Sequence, residues 1–177
     1  MRSDARQNRE RLITVAREAF TSGEQKVSMD YVARAAGVGI GTLYRHFPTR
    51  EALAEAVYRT EFTALRDNAA ELLAALPPDA ALRAWMDRFG EYVAAKRGMA
   101  EALRALITAT TLSEKRAELA EAAGAVLDAG AAEGVLRDDV EPEDVVVGII
   151  GIYSSTGPDR PEQTSRLLDL LMDGLRP

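Results

Sequence analysis

The sequence predicts an all-α protein of about nine helices. Strand-like alternation of apolar and polar residues is missing, alanine is abundant, and glycine and proline fall mostly where one helix would give way to the next. Hydrophobic residues make up 47% of the 177 residues, which is enough for a folded core. The predicted helices cover residues 4–21, 28–37, 40–45, 50–76, 79–96, 99–109, 113–134, 143–155 and 161–175.

The first two helices are predicted from an apolar face and from the residues that begin or end a helix. Ser22-Gly23 is expected to end the first helix. Ser28 is a good N-cap for the second helix, Asp30 lies in its first turn, where the helix dipole favours an anion, and Gly37 ends it. The residues expected to point inward are Leu12, Ile13, Ala16, Ala19, Phe20, Val32 and Ala35.

The later helices are bounded mainly by proline, glycine and capping residues. Thr49 is expected to cap the fourth helix, Pro77-Pro78 to break it and Asp79 to cap the fifth. Gly98 separates the fifth helix from the sixth. The remaining signals are Ser113 at the start of the seventh helix, Gly134 at its end, and Pro142 and Pro161 in the first turns of the last two.

The composition argues against several kinds of site. Cysteine is absent and His46 is the only histidine, so we expect no disulfide, no metal centre and no cofactor. The start of the chain lacks the pattern of a signal peptide. The longest apolar stretch, Val145–Tyr153, is far shorter than the roughly 20 residues that span a bilayer. We therefore expect a cytoplasmic protein that does not associate with membranes.

Charge is distributed unevenly along the chain. Residues 1–50 contain nine basic and five acidic residues, a net charge of +4, whereas the whole chain has a net charge of −6 and the remainder therefore −10. This asymmetry favours a first part that faces a polyanion and a second part that stays solvated. Clustering by chance on a solvated helical surface accounts for it equally well.

Residues 28–47 read SMDYVARAAGVGIGTLYRHF, which is a helix, a glycine-containing turn, a short helix and an aromatic anchor. This order is typical of a helix-turn-helix, in which the second helix enters the major groove of DNA and Gly37 supplies the tight turn. Gly39 and Gly41 each weaken a helix by about 1 kcal/mol relative to alanine. Close approach of the backbone to DNA explains them, and so does tight packing against the first helix.

The same segment suggests separate roles for its side chains. Phe47 is expected in the small three-helix core, and Tyr44 on the exposed side, where it can reach the sugar-phosphate backbone. Arg45 and Arg50 can neutralise phosphates, and the start of the fourth helix adds backbone donors. Two further residues, Ile40 and Thr42, are candidates for touching thymine methyl groups or base edges, whereas His46 is expected to make a packing contact.

The segment resembles the TetR-family signature over about residues 9–58. The matching runs are Ala36-Gly37-Val38, Gly41-Thr42-Leu43-Tyr44, His46-Phe47 and Arg50-Glu51. The resemblance implies a DNA-binding regulator in which Ser28, Thr42, Tyr44, His46 and Arg50 contact phosphates and Val38, Gly39 and Ile40 lie near the bases. The family often has serine and a basic residue at positions 39 and 40, so base readout here rests more on apolar contact and DNA shape.

The resemblance divides the chain into a helix-turn-helix domain, residues 1–48, and a helical domain, residues 49–177, for ligand sensing and dimerisation. Residues 81–105 and 134–140 resemble the C-terminal domain of the SbtR-like subgroup. The helix over Val145–Tyr153 is apolar on every side, and the last helix has a leucine stripe too broad for one neighbour. The last two helices of two subunits are therefore expected to form a dimer interface; the alternative is a monomer that buries them itself.

An apolar pocket is the expected site for an unidentified small-molecule effector. Its candidate lining residues are Trp85, Met86, Phe89, Tyr92, Met99, Leu103, Ile107 and Tyr153, with hydroxyls from Thr108, Thr110 or Thr111. Each of these residues is also a common member of an ordinary core.

The motif, the charge distribution and the resemblance together predict a homodimeric repressor that binds a palindromic DNA operator and releases it when the effector shifts the fourth helix. A transcriptional activator, or a regulator controlled by a protein partner, is the alternative. No Ser-His-Asp order, metal cluster or phosphate-binding glycine loop favours an enzyme.

Overall fold

A computed structural model describes residues 2–21, 27–104 and 107–177 of the chain. The described residues form nine helices and no strand, which confirms the predicted fold class. Ser22-Gly23, the predicted end of the first helix, lies outside the described residues. The helices are α1 (Arg2–Thr21), α2 (Met29–Ala35), α3 (Ile40–His46), α4 (Arg50–Ala75), α5 (Pro78–Gly98), α6 (Ala100–Leu103), α7 (Ala109–Ala132), α8 (Pro142–Thr156) and α9 (Pro161–Gly174).

The chain packs into two compact units. One consists of Met1–Glu61 with Ala94–Ile107, and the other of Phe62–Val93 with Thr108–Pro177. We call them the head unit and the body unit. Because α4 and α5 each run through a boundary between the units, each contributes residues to both. The predicted division at residues 48 and 49 concerns function and stays a prediction.

The core of the head unit joins α1, α2 and α3 to the start of α4 and to the segment around α6. The predicted apolar face of α1 is buried throughout, and Phe47 is buried as expected. Ala35 is exposed, so its predicted inward position is wrong, and Ala33 and Ala36 are buried instead. The face of this short helix that meets its neighbours centres on Val32, and residue 35 lies to one side of it.

A backbone contact fixes α5 against α1 within the head unit. A Cβ atom built on Gly98 would lie 1.8 Å from the carbonyl oxygen of Phe20, so only glycine fits at this point. The break that the sequence predicted at Gly98 is confirmed, because Met99 separates α5 from α6.

The start of α7 differs from the prediction. The sequence predicted a helix over 99–109 and Ser113 as the start of the next, but α6 is Ala100–Leu103 and α7 begins at Ala109. Thr108 caps α7: its hydroxyl accepts from the N–H of Thr111 at 3.2 Å, and its own N–H donates to the Thr111 hydroxyl at 2.8 Å. The pattern was missed because the usual partner in such a capping box is glutamate or glutamine.

Two other helix starts show how proline and threonine act. Thr49 caps α4 as predicted, since its hydroxyl accepts from the N–H of Ala52 at 3.1 Å. Asp79 is not the cap of α5, because the helix already begins at Pro78 and Asp79 lies in its first turn. Proline is favoured at the first helical position, where its missing N–H costs nothing.

The body unit is built from the remainder of α4 and α5 with α7, α8 and α9, and α8 packs against both α7 and α9. Trp85 is fully buried, donates its indole N–H to the carbonyl of Leu65 at 2.8 Å, and meets the ring of Phe89 edge-on at 4.9 Å. Gly134 follows α7 with a φ of 70°, a conformation that favours glycine. In the described ranges, none of the helices has the length and apolar character needed to cross a membrane.

Candidate nucleic-acid interface

The helix-turn-helix geometry follows from the local sequence. Ser28 caps α2 by accepting the N–H of Tyr31 at 3.1 Å, as predicted. Gly37 has a φ of 67°, so the chain can turn sharply between α2 and α3 without the strain another residue would bring. The only buried residue of α3 is Leu43, which leaves most of this helix free to face a partner.

Two predicted DNA contacts lie on the exposed surface of α3. Ile40 is 41% exposed and Tyr44 is 48% exposed, so both side chains are accessible, as their predicted contacts with DNA require. Tyr31 of α2 is 44% exposed and joins these candidates. Tyr31 was not among the residues predicted to contact DNA, although an aromatic residue at a solvated position of a helix-turn-helix is itself a signal.

The two candidate arginines are held differently. Arg45 is exposed and folds along its own helix, donating to the carbonyl of Gly41 and to the hydroxyl of Thr42, both at 3.2 Å. Arg50 is half-buried: it donates to the carbonyl of Val27 at 3.2 Å, and its guanidinium lies 5.6 Å from the centre of the Phe20 ring. Arg50 therefore has a packing role in the head unit, whatever it contributes to DNA binding.

The other candidates fall into two groups. Val38, Thr42 and His46 are half-buried, and the ring of His46 lies 6.3 Å from that of Phe47, as expected for a packing contact. Gly39 and Gly41 are exposed, and a Cβ atom built on either would meet no atom of the described chain within 4 Å. Tight packing against α2, the first helix of the helix-turn-helix and one of the two explanations for these glycines, is therefore wrong.

Comparison with known proteins gives the family. Residues 12–57 match the family "Bacterial regulatory proteins, tetR family", and residues 77–177 match "Transcriptional regulator SbtR-like, C-terminal domain". The TetR regulator SCO0520 of Streptomyces coelicolor is 44% identical, with 96% of this chain and 98% of that chain covered and a TM-score of 0.83. The chain belongs to the TetR family of transcriptional regulators.

Two further relatives differ in how much of the chain is similar to them. A TetR regulator of Mycobacterium vanbaalenii is 32% identical, with 99% of each chain covered and a TM-score of 0.79. An HTH-type transcriptional regulator of Staphylococcus aureus is 43% identical over 54 residues, which are 30% of this chain but only 29% of that protein. Both the TetR resemblance and the SbtR-like resemblance are confirmed, and the TetR-family protein is a DNA-binding regulator, not an enzyme.

The candidate effector residues of this TetR-family protein divide between the two units. Trp85, Met86, Phe89 and Tyr92 are buried in the body unit, where Tyr153 donates its hydroxyl to the carbonyl of Met86 at 3.0 Å. Burial raises the pKa of Tyr153 above its ordinary value, so the hydroxyl stays protonated. The other candidates, Met99, Leu103 and Ile107, pack in the core of the head unit.

Two of the three threonine hydroxyls predicted for the polar part of the effector site are bonded within the chain. The hydroxyls of Thr108 and Thr111 bond each other's backbone at the start of α7, so the helix cap already occupies them. A surface cleft of about 280 Å³ lies elsewhere in the body unit, between α5 and α9, and is lined mainly by charged residues such as Asp79, Arg83 and Asp173. It contains none of the eight apolar candidates.

Proposed function

We propose that this TetR-family protein is an effector-responsive repressor that binds a palindromic operator as a homodimer. The observation that carries the proposal is the exposed surface of α3, where Ile40, Tyr44 and Arg45 face outward from a unit whose first 50 residues carry a net charge of +4. A short helix that follows a glycine turn and presents such residues is suited to the major groove. The contacts predicted at Ser28, Thr42 and His46 belong to the same proposal.

The apolar surface of α8 and α9 supports the dimer. Val147 of α8 is 45% exposed and Leu170 of α9 is 66% exposed, beside the half-buried side chains of Leu167 and Leu171. Gly151 is exposed on α8 and would let another helix approach closely. Apolar side chains at these positions are expensive to leave in water, and a second copy of the same two helices would cover them.

The body unit supports effector control. Its buried aromatic residues and Met86 provide an apolar environment suited to a small, largely apolar molecule. Because α4 contributes to both units, a shift of its body-unit part would move the part that begins at Arg50 beside the reading helix. A coupling of about 1–3 kcal/mol would change operator occupancy by roughly 5- to 150-fold.

The first test is selection from random duplex DNA by the purified full-length protein, followed by sequencing and measurement of the number of subunits bound. We expect an enriched palindrome whose half-sites lie about one helical turn apart, occupied by an even number of subunits. Sequence-blind binding would contradict the proposal.

Once the operator is known, compounds that bind the dimer are expected to weaken operator binding. A reporter measured with and without the gene distinguishes repression from activation.

Arg45→Ala should make operator binding less sensitive to salt. Each phosphate contact contributes about 0.9 to the slope of log affinity against log salt, so losing one contact per subunit lowers the slope by about 1.8 for a dimer. The matched control is Arg88→Ala in α5 of the body unit, where the arginine pairs with Glu91 and the slope should stay unchanged. An unchanged slope for Arg45→Ala would remove that residue from the phosphate contacts.

A further inference from the structure

The first turn of the reading helix has an unusual composition for a helix that selects a DNA sequence. In a helix-turn-helix, the residues at the start of the second helix meet the base edges. Here these residues are Gly39, the N-cap, followed by Ile40 and Gly41. Arginine, asparagine and glutamine, the side chains that bind two atoms of one base, are absent from this turn.

The nearest polar side chains in α3 are already engaged with each other. Thr42 is half-buried, and its hydroxyl accepts from Arg45 at 3.2 Å. Arg45 lies in the last turn of the helix and also donates to the carbonyl of Gly41. Ile40 is thus the one side chain of the first turn that projects into solvent, and it is apolar.

The glycines on either side of Ile40 are not required by the fold. Neither has a positive φ, in contrast to Gly37, and a Cβ atom built on either would have no neighbour within 4 Å among the described residues. Glycine inside a helix weakens it, so Gly41 calls for a reason outside the chain, whereas Gly39 is the N-cap, where glycine is an accepted residue. Bare backbone beside Ile40 lets the helix come closer to a partner than side chains would allow.

The thymine C5-methyl is the apolar group that a base pair displays in the major groove. We propose that Ile40 reads a thymine methyl group in each half-site, and that Gly39 and Gly41 open the space in which the helix backbone approaches the bases. This inference rests on the proposed operator binding and specifies its chemistry. The positive charge of residues 1–50 provides the attraction to DNA, and the methyl contact provides the sequence preference.

The test replaces thymine by deoxyuridine, one symmetric pair of positions at a time, in the operator obtained by selection. Deoxyuridine pairs like thymine and lacks only the methyl group. One symmetric pair of positions should lower the affinity of the wild-type dimer by about 15-fold, from about fourfold for each buried methyl. For Ile40→Ala, we expect weaker binding to the thymine operator and less than a 1.5-fold effect of deoxyuridine at that position.

A matched control is Leu76→Ala. Leu76 is 39% exposed, close to the 41% of Ile40, but lies between α4 and α5. This variant should retain the full deoxyuridine effect. Gly41→Ala gives a second readout: the variant should fold at least as stably as the wild type and yet bind the operator at least threefold more weakly.

The outcomes separate this inference from the function on which it rests. Specific operator binding that is insensitive to deoxyuridine at every thymine, or an operator without thymine in its half-sites, would overturn the inference alone. An Ile40→Ala dimer that keeps the wild-type deoxyuridine effect would do the same. Failure to enrich any sequence would overturn both.

Discussion

Gly98→Ala should lower the free energy of unfolding by about 3 kcal/mol, at the upper end of what one added methyl group costs in a packed region. The new Cβ would lie 1.8 Å from the carbonyl oxygen of Phe20 and 2.7 Å from its carbonyl carbon, so α1 and α5 have to separate. Backbone atoms cannot rotate away as the end of a side chain can. The measurement is equilibrium denaturation by urea, and the melting temperature should fall by about 6–12 °C.

Gly41→Ala is the control for this prediction. Its Cβ would have no described neighbour within 4 Å, and the residue lies inside α3, so alanine should stabilise the protein by about 0.5–1 kcal/mol. If Gly98→Ala cost less than 1 kcal/mol, the contact between α1 and α5 would be looser than the structure describes. Because both variants add the same single methyl group, their difference isolates the contact with Phe20.

These glycines show what the sequence could and could not predict. It predicted Gly98 as a break between helices, because glycine is a poor helix former, but the contact with Phe20 joins residues 78 positions apart and leaves no local pattern. At Gly39 and Gly41, the sequence left two explanations open, since only the positions of neighbouring atoms reveal whether a side chain would fit. A local sequence pattern thus predicts where a glycine breaks a helix, but it does not predict which distant residues lie against that glycine.

The apolar residues show the same limit. Periodicity predicted correctly that the face of α1 is buried, because a stripe repeating every three or four residues needs a partner. Met99, Leu103 and Ile107 were expected as candidates to line an effector pocket, but they pack in the core of the head unit. Hydrophobicity indicates that a residue is buried without naming the residues against which it packs.

Among the candidate DNA contacts, the exposure of a side chain was easier to predict than the atoms of the chain to which it bonds. Tyr44 is exposed, as its place on a short helix predicted. Arg50 was expected as a phosphate contact, yet it bonds the carbonyl of Val27 and lies against the ring of Phe20. An arginine side chain is long and has five donors, so its partners depend on tertiary structure rather than on position in a motif.

Leu170→Glu should convert the proposed dimer into a monomer at micromolar concentration. Leu170 is 66% exposed, so the substitution leaves the packing of one chain intact, whereas a dimer through α8 and α9 would have to bury an unpaired carboxylate. Molar mass in solution, measured by light scattering after size exclusion, should fall by half. The control Leu76→Glu, at another exposed leucine, should leave the molar mass of the dimer unchanged.

The same substitution should lower operator affinity by at least about 100-fold. Two heads joined in one dimer bind the second half-site at a high effective concentration, which multiplies affinity by about 100- to 10,000-fold over one head. Affinity for a single half-site should stay close to that of a wild-type head, because Leu170 lies in α9 and the reading helix is α3. A Leu170→Glu variant that stays dimeric and binds the palindrome normally would place the dimer interface on another surface. A monomer with unchanged palindrome affinity would show instead that each head reads its half-site alone.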